Sequence, residues 1–417
     1  MQTTYRTVQA RSVKIPHKHT HSHTHKLKRY LPSEAAQLVP VLSRSASRGL
    51  TKSMNRTTII CVLTVVPVAC LYYWWITREL CFNAWLVCWA AVFPPIRKIL
   101  HTDYFAEGNR EEKRSKMDQL VAMGGRVLQS DMAEVHNVEL LVEGGRIPLR
   151  INIPHTTGER SRHALKAVLL WMHGGGWVFG SVDAYDGLSK DFATATGMIV
   201  VSVGYRLAPE AKFPVPLGDC VAAVQWVKQN IWSFGGDRTR VGLVGESSGA
   251  NLAVATAMRM ARPWVPFLPK KSDLCALVLA SPPVSYEHAK RWADGDDGEW
   301  GSYKRYAKGY GLEASQMKGF WDLYLKREDQ GRDPLASPLR ASKGMLRGLP
   351  PVLLVGAEHE VLKDEILDFG RKMEEVGLEV EEFYSKACVH GLFAKGRGSC
   401  GKFSLERAAS FLKERCT

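Results

Sequence analysis

A serine in a glycine-flanked turn is the first residue of this chain that could do chemistry. Ser247 lies in Gly245-Glu246-Ser247-Ser248-Gly249. An apolar run at 241–244 precedes this turn, and an Ala- and Met-rich run at 250–261 follows it. The order of strand, sharp turn and helix is typical of a nucleophile elbow, whose glycines relieve steric clashes around a strained serine. The pattern predicts that Ser247 is a nucleophile and that the helix behind it presents free backbone N–H groups.

A serine hydroxyl reacts well only when a neighbouring base accepts its proton. His390 follows the last predicted strand and precedes the last predicted helix, where a general base of such a site belongs. The carboxylate that orients this histidine should follow the apolar run at 352–356. The candidates are Glu358, Glu360 and Asp364, with Asp333 as a more distant fourth because it precedes that run.

Three consecutive glycines form the third part of the predicted site. They lie in His173-Gly174-Gly175-Gly176-Trp177, directly after the apolar run at 167–172. A glycine triplet is unfavourable within a strand, but it lets backbone N–H groups approach a developing negative charge. The triplet therefore predicts an oxyanion hole, with a flexible turn as the less favoured interpretation.

The elements that must position these residues follow from position 104 onward, where short apolar runs alternate with helical stretches. This alternation predicts an α/β protein with a mainly parallel sheet and helices on both faces. An interruption at 283–345, rich in Trp and Tyr, is either a lid over an apolar pocket or a packing insertion. The apolar runs lie near 138–142, 147–153, 166–172, 198–204, 241–244, 276–280, 352–356 and 378–384, and the main helices near 110–130, 184–195, 217–232, 249–262, 362–376 and 402–414.

The region before position 104 has a different composition. Residues 1–56 hold 11 Lys and Arg against one acidic residue, so most of the net charge of +14 belongs to a polar tail that we expect to be disordered. This distribution gives no reason to expect a nucleic-acid partner for the rest of the chain. The tail has five alternating histidines between positions 17 and 25, which either bind a metal weakly or are simply solvated. No nucleotide or metal motif appears elsewhere, so we expect no cofactor.

Residues 57–96 are predicted to be a membrane anchor. The stretch 57–76 is an uncharged run of 20 residues that ends in Tyr and Trp pairs, which matches the hydrocarbon thickness of a bilayer and its interface. The shorter run at 80–96 is either a second span or an interfacial segment. The basic tail should remain cytosolic, so one span places the remainder, 104–417, in the lumen and two spans return it to the cytosol.

Five cysteines follow the anchor, and they have no CxxC spacing that would indicate a zinc site. Their odd number and scattered positions predict buried or free thiols. They are Cys220, Cys275, Cys388, Cys400 and Cys416.

Several further motifs accompany the elbow, the glycine triplet and the late histidine, all in one order. Together they resemble the hormone-sensitive lipase family of α/β-hydrolases over about residues 140–415. With the anchor, the chain is most similar to the membrane-bound arylacetamide deacetylases and the fungal steryl acetyl hydrolases. The additional motifs are Tyr205-Arg-Leu-Ala-Pro-Glu210, Phe213-Pro214 with Asp219, Asp333-Pro334 with Ser337-Pro338-Leu339, and Asp364-Glu365.

The resemblance implies an α/β-hydrolase fold with a lid insertion, and a serine esterase or deacetylase that cleaves apolar esters such as steryl or aryl acetates. It assigns the nucleophile to Ser247 and the base to His390. The family's usual acid stretch is Asp-Pro-Leu-x-Asp-Glu, so the acid position falls on Glu360, a glutamate, and the proline is lost; Glu358 remains a rival. The oxyanion donors implied are the backbone N–H groups of Gly174, Gly175 and Ser248.

Two other functions are compatible with the sequence. One is a non-catalytic ligand-binding receptor on the same fold, against which the retained His390 argues. The other is a membrane scaffold with a relic site, supported only by the altered acid position. For the leading interpretation, the resemblance favours a single span, a cytosolic N-terminus and a catalytic domain in the lumen of the endoplasmic reticulum. The single Asn-x-Ser/Thr motif, at Asn55 before the first run, leans towards the cytosol instead.

Overall fold

The computed structural model of the protein describes residues 109–124, 131–155, 164–261, 272–296, 301–393 and 399–417. The predicted tail at 1–56 and the predicted anchor at 57–96 lie outside these residues. Among the helices that are described, none combines the length and the apolar character needed to cross a bilayer.

Within these ranges, eight strands form one sheet in the order β1-β2-β4-β3-β5-β6-β7-β8. The pairs β1–β2 and β2–β4 are antiparallel, and every other neighbouring pair is parallel. The mainly parallel sheet expected from the alternating pattern is therefore confirmed. The strands are β1 (Met132–Val142), β2 (Gly145–Pro154), β3 (Lys166–Met172), β4 (Ile199–Val203), β5 (Gly236–Glu246), β6 (Leu277–Ala280), β7 (Val352–His359) and β8 (Val380–Val389).

Helices cover both faces of this sheet, as β3 shows residue by residue. Val168 and Leu170 belong to one buried cluster, whereas Leu169 and Trp171 belong to the other. Successive side chains of a strand point to opposite faces, so a strand that is apolar throughout requires a packed layer on each side. The helices are α1 (Arg110–Gly124), α2 (Asp186–Thr196), α3 (Val215–Asn230), α4 (Ser248–Ala261), α5 (Tyr286–Ala293), α6 (Gly301–Arg305), α7 (Ala314–Tyr324), α8 (Lys343–Leu346), α9 (Lys363–Glu374) and α10 (Ser399–Cys416).

The insertion at 283–345 contains α5, α6, α7 and most of α8 in its described residues. Several of its aromatic side chains are not spread over a pocket but buried in the larger of the two clusters. Trp321, Tyr324 and Tyr303 have almost no exposed surface there, and Trp177 stacks on Tyr324 with 4.3 Å between ring centroids. These residues pack the fold, and a lid role for the insertion stays a prediction.

The expectation of unpaired thiols is wrong for four of the five cysteines. Disulfides join Cys275 to Cys416 and Cys388 to Cys400, whereas Cys220 is a buried thiol whose pKa is raised by burial. Both bonds involve α10, whose two ends are thereby tied to the segment before β6 and to β8. Spacing in the sequence could not reveal these pairs, because the packing of α10 is what brings the sulfur atoms together.

Candidate active site

The nucleophile elbow is formed where β5 ends and α4 begins. Ser247 has a φ of +54°, a left-handed conformation that side chains rarely adopt. A Cβ on Gly245 would lie 2.4 Å from the Gly249 carbonyl oxygen, and a Cβ on Gly249 would lie 2.0 Å from that of Met172. Both flanking glycines are thus sterically required, and the turn leaves the Ser247 side chain partly exposed.

Ser247, His390 and Glu360 form one chain of hydrogen bonds. The Ser247 Oγ lies 3.0 Å from His390 Nε2, and His390 Nδ1 lies 2.9 Å from Glu360 Oε2. An imidazole with its proton on Nδ1 satisfies both contacts, because Nδ1 then donates to the carboxylate and Nε2 accepts from the hydroxyl. The Glu360 side chain is fully buried and that of His390 is 12% exposed, so the charged end is shielded and the serine end faces solvent.

The other three carboxylates considered as acids do not contact His390. Each accepts a hydrogen bond from a backbone N–H group instead. For Glu358, this bond is the largest influence and lowers the pKa of the carboxyl group. The donors are the N–H groups of Ala387 for Glu358 (2.7 Å), of Ser302 for Asp364 (2.7 Å) and of Leu335 for Asp333 (2.8 Å).

Glu360 is itself held by two donors on its second oxygen. The hydroxyl of Ser281 lies 2.9 Å from Oε1, and the backbone N–H of Ala357 lies 2.6 Å from the same atom. A buried carboxylate is costly unless donors replace the lost water, and these two do so while leaving Oε2 for His390. Ser281 follows β6 and adopts a φ of +46°. Sequence reasoning missed it, since no recognisable motif surrounds this serine.

The glycine triplet lies directly beside the nucleophile. A Cβ on Gly174 would stand 3.4 Å from the Cβ of Ser247, and Gly175 has a φ of +114° with the Phe179 carbonyl oxygen 2.3 Å from where its Cβ would be. Ser248 is the first residue of α4, so its N–H has no acceptor within the helix. The structure therefore places the predicted oxyanion residues on two segments that meet at Ser247.

His173 keeps the glycine loop in place. Its ring is buried and stacked between Tyr205 and Tyr185, with centroid distances of 4.3 and 5.5 Å. Burial lowers the pKa of His173 to about 4, so at neutral pH the ring is uncharged and its Nδ1–H donates to the Gly174 carbonyl oxygen at 2.8 Å. The Tyr205 hydroxyl also donates to the His173 carbonyl oxygen, at 2.7 Å. The loop is thus fixed before any substrate arrives.

The loop that carries His390 is tied to the elbow as well. The backbone N–H of Phe393 donates to Glu246 Oε1 at 2.7 Å, and Glu246 is the residue immediately before the nucleophile. The ring of Phe393 packs edge-on against Phe192 and Trp171, with centroid distances of 5.1 and 6.0 Å.

An aromatic side chain borders the glycine loop on its outer side. Gly176 has a φ of +62°, and a Cβ there would lie 2.4 Å from the ring of Phe320, which belongs to α7. Phe320 is half-buried and meets the buried Phe179 edge-on, with 6.0 Å between centroids. The site therefore has an apolar wall next to its oxyanion residues. The described residues hold no group of three or more His, Cys, Asp or Glu that could bind a metal ion.

Comparison with known proteins defines the class to which this fold and site belong. The family described as alpha/beta hydrolase fold matches residues 169–394, which include the glycine triplet, the elbow, Glu360 and His390. The chain belongs to this family, the hormone-sensitive lipase-like α/β-hydrolases, as the motifs had indicated.

Relatives with named activities narrow the class further. The chain is 29% identical over 313 residues to an arylesterase of Saccharolobus solfataricus, covering 73% of this chain and 94% of that protein. It is 28% identical over 298 residues to an arylacetamide deacetylase of Bos taurus, covering 60% and 72%. A thermostable esterase from Pseudomonas putida ECU1011 superimposes with a TM-score of 0.66 at 26% identity, covering 80% of this chain and 97% of that one. The prediction of a carboxylic ester hydrolase is confirmed.

Proposed function

We propose that this esterase works through an acyl-enzyme formed on Ser247. His390 accepts the hydroxyl proton through Nε2 as Ser247 Oγ attacks the ester carbonyl, and Glu360 stabilises the resulting imidazolium. The backbone N–H groups of Gly174, Gly175 and Ser248 stabilise the oxyanion, each contributing about 3–4 kcal/mol. His390 then protonates the leaving alcohol. Water repeats the sequence on the acyl-enzyme and releases the acid.

The observation that carries this proposal is the continuous hydrogen-bonded path from Ser247 through His390 to the buried Glu360. A receptor or scaffold would gain nothing from a nucleophile in a strained turn with a base 3.0 Å away. The glutamate therefore does not indicate a relic site, because its longer side chain reaches the imidazole.

An apolar ester is the substrate class that we propose, with aryl or steryl acetates as the first to examine. The half-buried ring of Phe320 beside the glycine loop supports it. The relatives named arylesterase and arylacetamide deacetylase support an aromatic substrate. Because Phe320 belongs to the insertion, we propose that this part of 283–345 serves as the lid over the bound ester.

Attachment to a membrane through 57–96 completes the proposal, with one span, a cytosolic N-terminus and the hydrolase domain in the lumen of the endoplasmic reticulum. The basic composition of the tail supports this orientation. The two disulfides support it independently, since such bonds persist in oxidising compartments and are rare in the cytosol. A bilayer would also concentrate apolar esters near the enzyme.

The catalytic assignment is tested with an aryl acetate as substrate. We expect Ser247→Ala and His390→Ala each to lower kcat by a factor on the order of 10⁶, because members of one catalytic unit fail together. Ser233→Ala, a change at an exposed serine remote from the site, is the matched control and should keep full activity. Substantial turnover by a purified, folded Ser247→Ala protein would contradict the mechanism.

A further inference from the structure

The loop that carries His390 has its two ends joined covalently. Cys388 is the penultimate residue of β8 and is almost fully buried, and Cys400 is the second residue of α10. Their disulfide therefore encloses His390, which follows Cys388 by two residues. We propose that the Cys388–Cys400 disulfide positions His390, so that full activity requires this bond to be oxidised. This inference rests on the proposed role of His390 as the base.

His390 lies between two anchors of different strength. The disulfide precedes it by two residues, and the hydrogen bond from Phe393 N–H to Glu246 follows it by three. A hydrogen bond can open transiently, whereas the disulfide sets a fixed limit on how far the ends of the loop separate. The imidazole of His390 lies 3.0 Å from Ser247 Oγ and 2.9 Å from Glu360 Oε2. A small displacement of His390 would therefore break both hydrogen bonds.

Loss of this disulfide should leave the fold intact, because α10 is held to β8 by other contacts. The hydroxyls of Ser385 and Ser404 are hydrogen-bonded at 2.9 Å within the core, and Arg407 forms an ion pair with Glu381. Apolar residues along α10 also pack into the smaller buried cluster. The effect of breaking the bond should therefore fall on the first turn of α10 and on the loop before it.

The second disulfide of the same helix provides a matched control. Cys275–Cys416 ties the opposite end of α10, about 24 Å along the helix axis from Cys400. Neither Cys275 nor Cys416 lies within the segment from 388 to 400 that contains His390. If the two disulfides contribute only to the stability of the fold, removal of either bond should change kcat to a similar extent.

The experiment compares the double variants Cys388→Ser/Cys400→Ser and Cys275→Ser/Cys416→Ser in the full chain, with an aryl acetate as substrate. We expect the first to lower kcat by about tenfold or more with little change in KM, because a misplaced base impairs the chemical step. The second should keep the kcat of the unmodified enzyme. Circular dichroism confirms that both variants are folded at the assay temperature.

A reductant gives a second, reversible measurement on the Cys275→Ser/Cys416→Ser protein. Dithiothreitol transfers two electrons and two protons to the Cys388–Cys400 bond, which yields two thiols and leaves the reagent as its cyclic disulfide. The kcat should fall as in the Cys388→Ser/Cys400→Ser variant and return after reoxidation. Unchanged kcat on loss of Cys388–Cys400, or an equal fall for both disulfides, would overturn the inference. An unmodified enzyme without Ser247-dependent activity would instead refute the proposed function.

Discussion

At the acid position, the Glu360 carboxylate reaches His390 because its other oxygen is held by two hydrogen-bond donors. Oxygen Oε1 of Glu360 is bound by the Ser281 hydroxyl and the Ala357 N–H, which turns Oε2 towards His390. The neighbouring Glu358 has the same side chain but binds the N–H of Ala387. The two glutamate side chains are identical but have different partners. Glu358 lies within β7, whereas Glu360 follows the end of that strand.

We expect Glu360→Gln to lower kcat by a factor on the order of 10⁴, since the amide cannot stabilise the imidazolium and can favour the wrong tautomer. Glu358→Gln is the matched control, for it removes a similar carboxylate that is hydrogen-bonded to the backbone N–H of Ala387, and its effect on kcat should be small. Steady-state kinetics with an aryl acetate as substrate give the kcat of both variants for comparison. The reverse ranking of the two variants would show that Glu358 is the acid.

We expect the Ser281 hydroxyl to affect kcat and not KM. Ser281→Ala removes one of two donors to Glu360 Oε1, and a hydrogen bond to a charged group is worth about 1.5–3 kcal/mol, so kcat should fall about tenfold at constant KM.

Ser281→Gly should lose the same activity, although glycine tolerates the φ of +46° and relieves backbone strain there. Thermal melting separates the effect of strain from that of the hydroxyl. A kcat equal to that of the unmodified enzyme in both variants would exclude a role for the Ser281 hydroxyl.

At the level of elements, hydrophobic patterning predicted every strand of the sheet but not all of their ends. β1 begins six residues before the apolar run at 138–142, because Glu134 and His136 are polar residues that an edge strand can expose. β5 likewise begins at Gly236, in the polar stretch before the run at 241–244. Hydrophobic patterning reveals only the buried residues of a strand, so it cannot locate a strand end that is exposed to solvent.

The parts of the site that sequence could predict are those with short, contiguous motifs. The positions of the elbow and the glycine triplet follow from local sequence, and both lie where expected. The choice among four carboxylates, the contribution of Ser281 and the disulfide pairs depend on contacts between distant segments. A single sequence holds no local signal for such contacts, which is why these features emerged only from the structure.

A buried pair links α5 to α9 and gives a prediction about pH. Glu365 lies 3.9 Å from the His288 ring and accepts from the Val284 N–H. Burial raises the pKa of Glu365 well above 4.5 and lowers that of His288 to about 3, because burial disfavours the charged form of each group. Above pH 4.5 the unfolded chain releases the Glu365 proton and the folded chain retains it, so this group costs stability as pH rises.

Glu365→Gln should remove that cost, since glutamine resembles the protonated acid in shape. The melting temperature of the variant should therefore rise relative to that of the unmodified protein as the pH increases above 4.5. Thermal unfolding across this range measures the difference. A difference that does not change with pH would show that Glu365 is already ionised in the fold.

For the whole molecule, the proposed attachment through 57–96 gives a prediction about the compartment in which the enzyme meets its substrates. With one span, protease added to sealed microsomes should spare the hydrolase domain and digest only the basic tail. Detergent should then expose the domain, which controls for intrinsic resistance. Digestion of the domain without detergent would establish a cytosolic site and a hairpin anchor of two spans. The second outcome would also leave the disulfides without the oxidising surroundings that such bonds usually need.

The position of β8 has a consequence for the nascent chain. Among the described strands it is the last in sequence order, it forms one edge of the sheet, and the residue that follows it is His390. Ser247 is therefore synthesised 143 residues before its proposed base. Until β8 pairs with β7 and His390 follows it, Ser247 lacks the base that would activate its hydroxyl. Efficient turnover of an ester would thus report that this edge strand has paired and has delivered His390 to the serine.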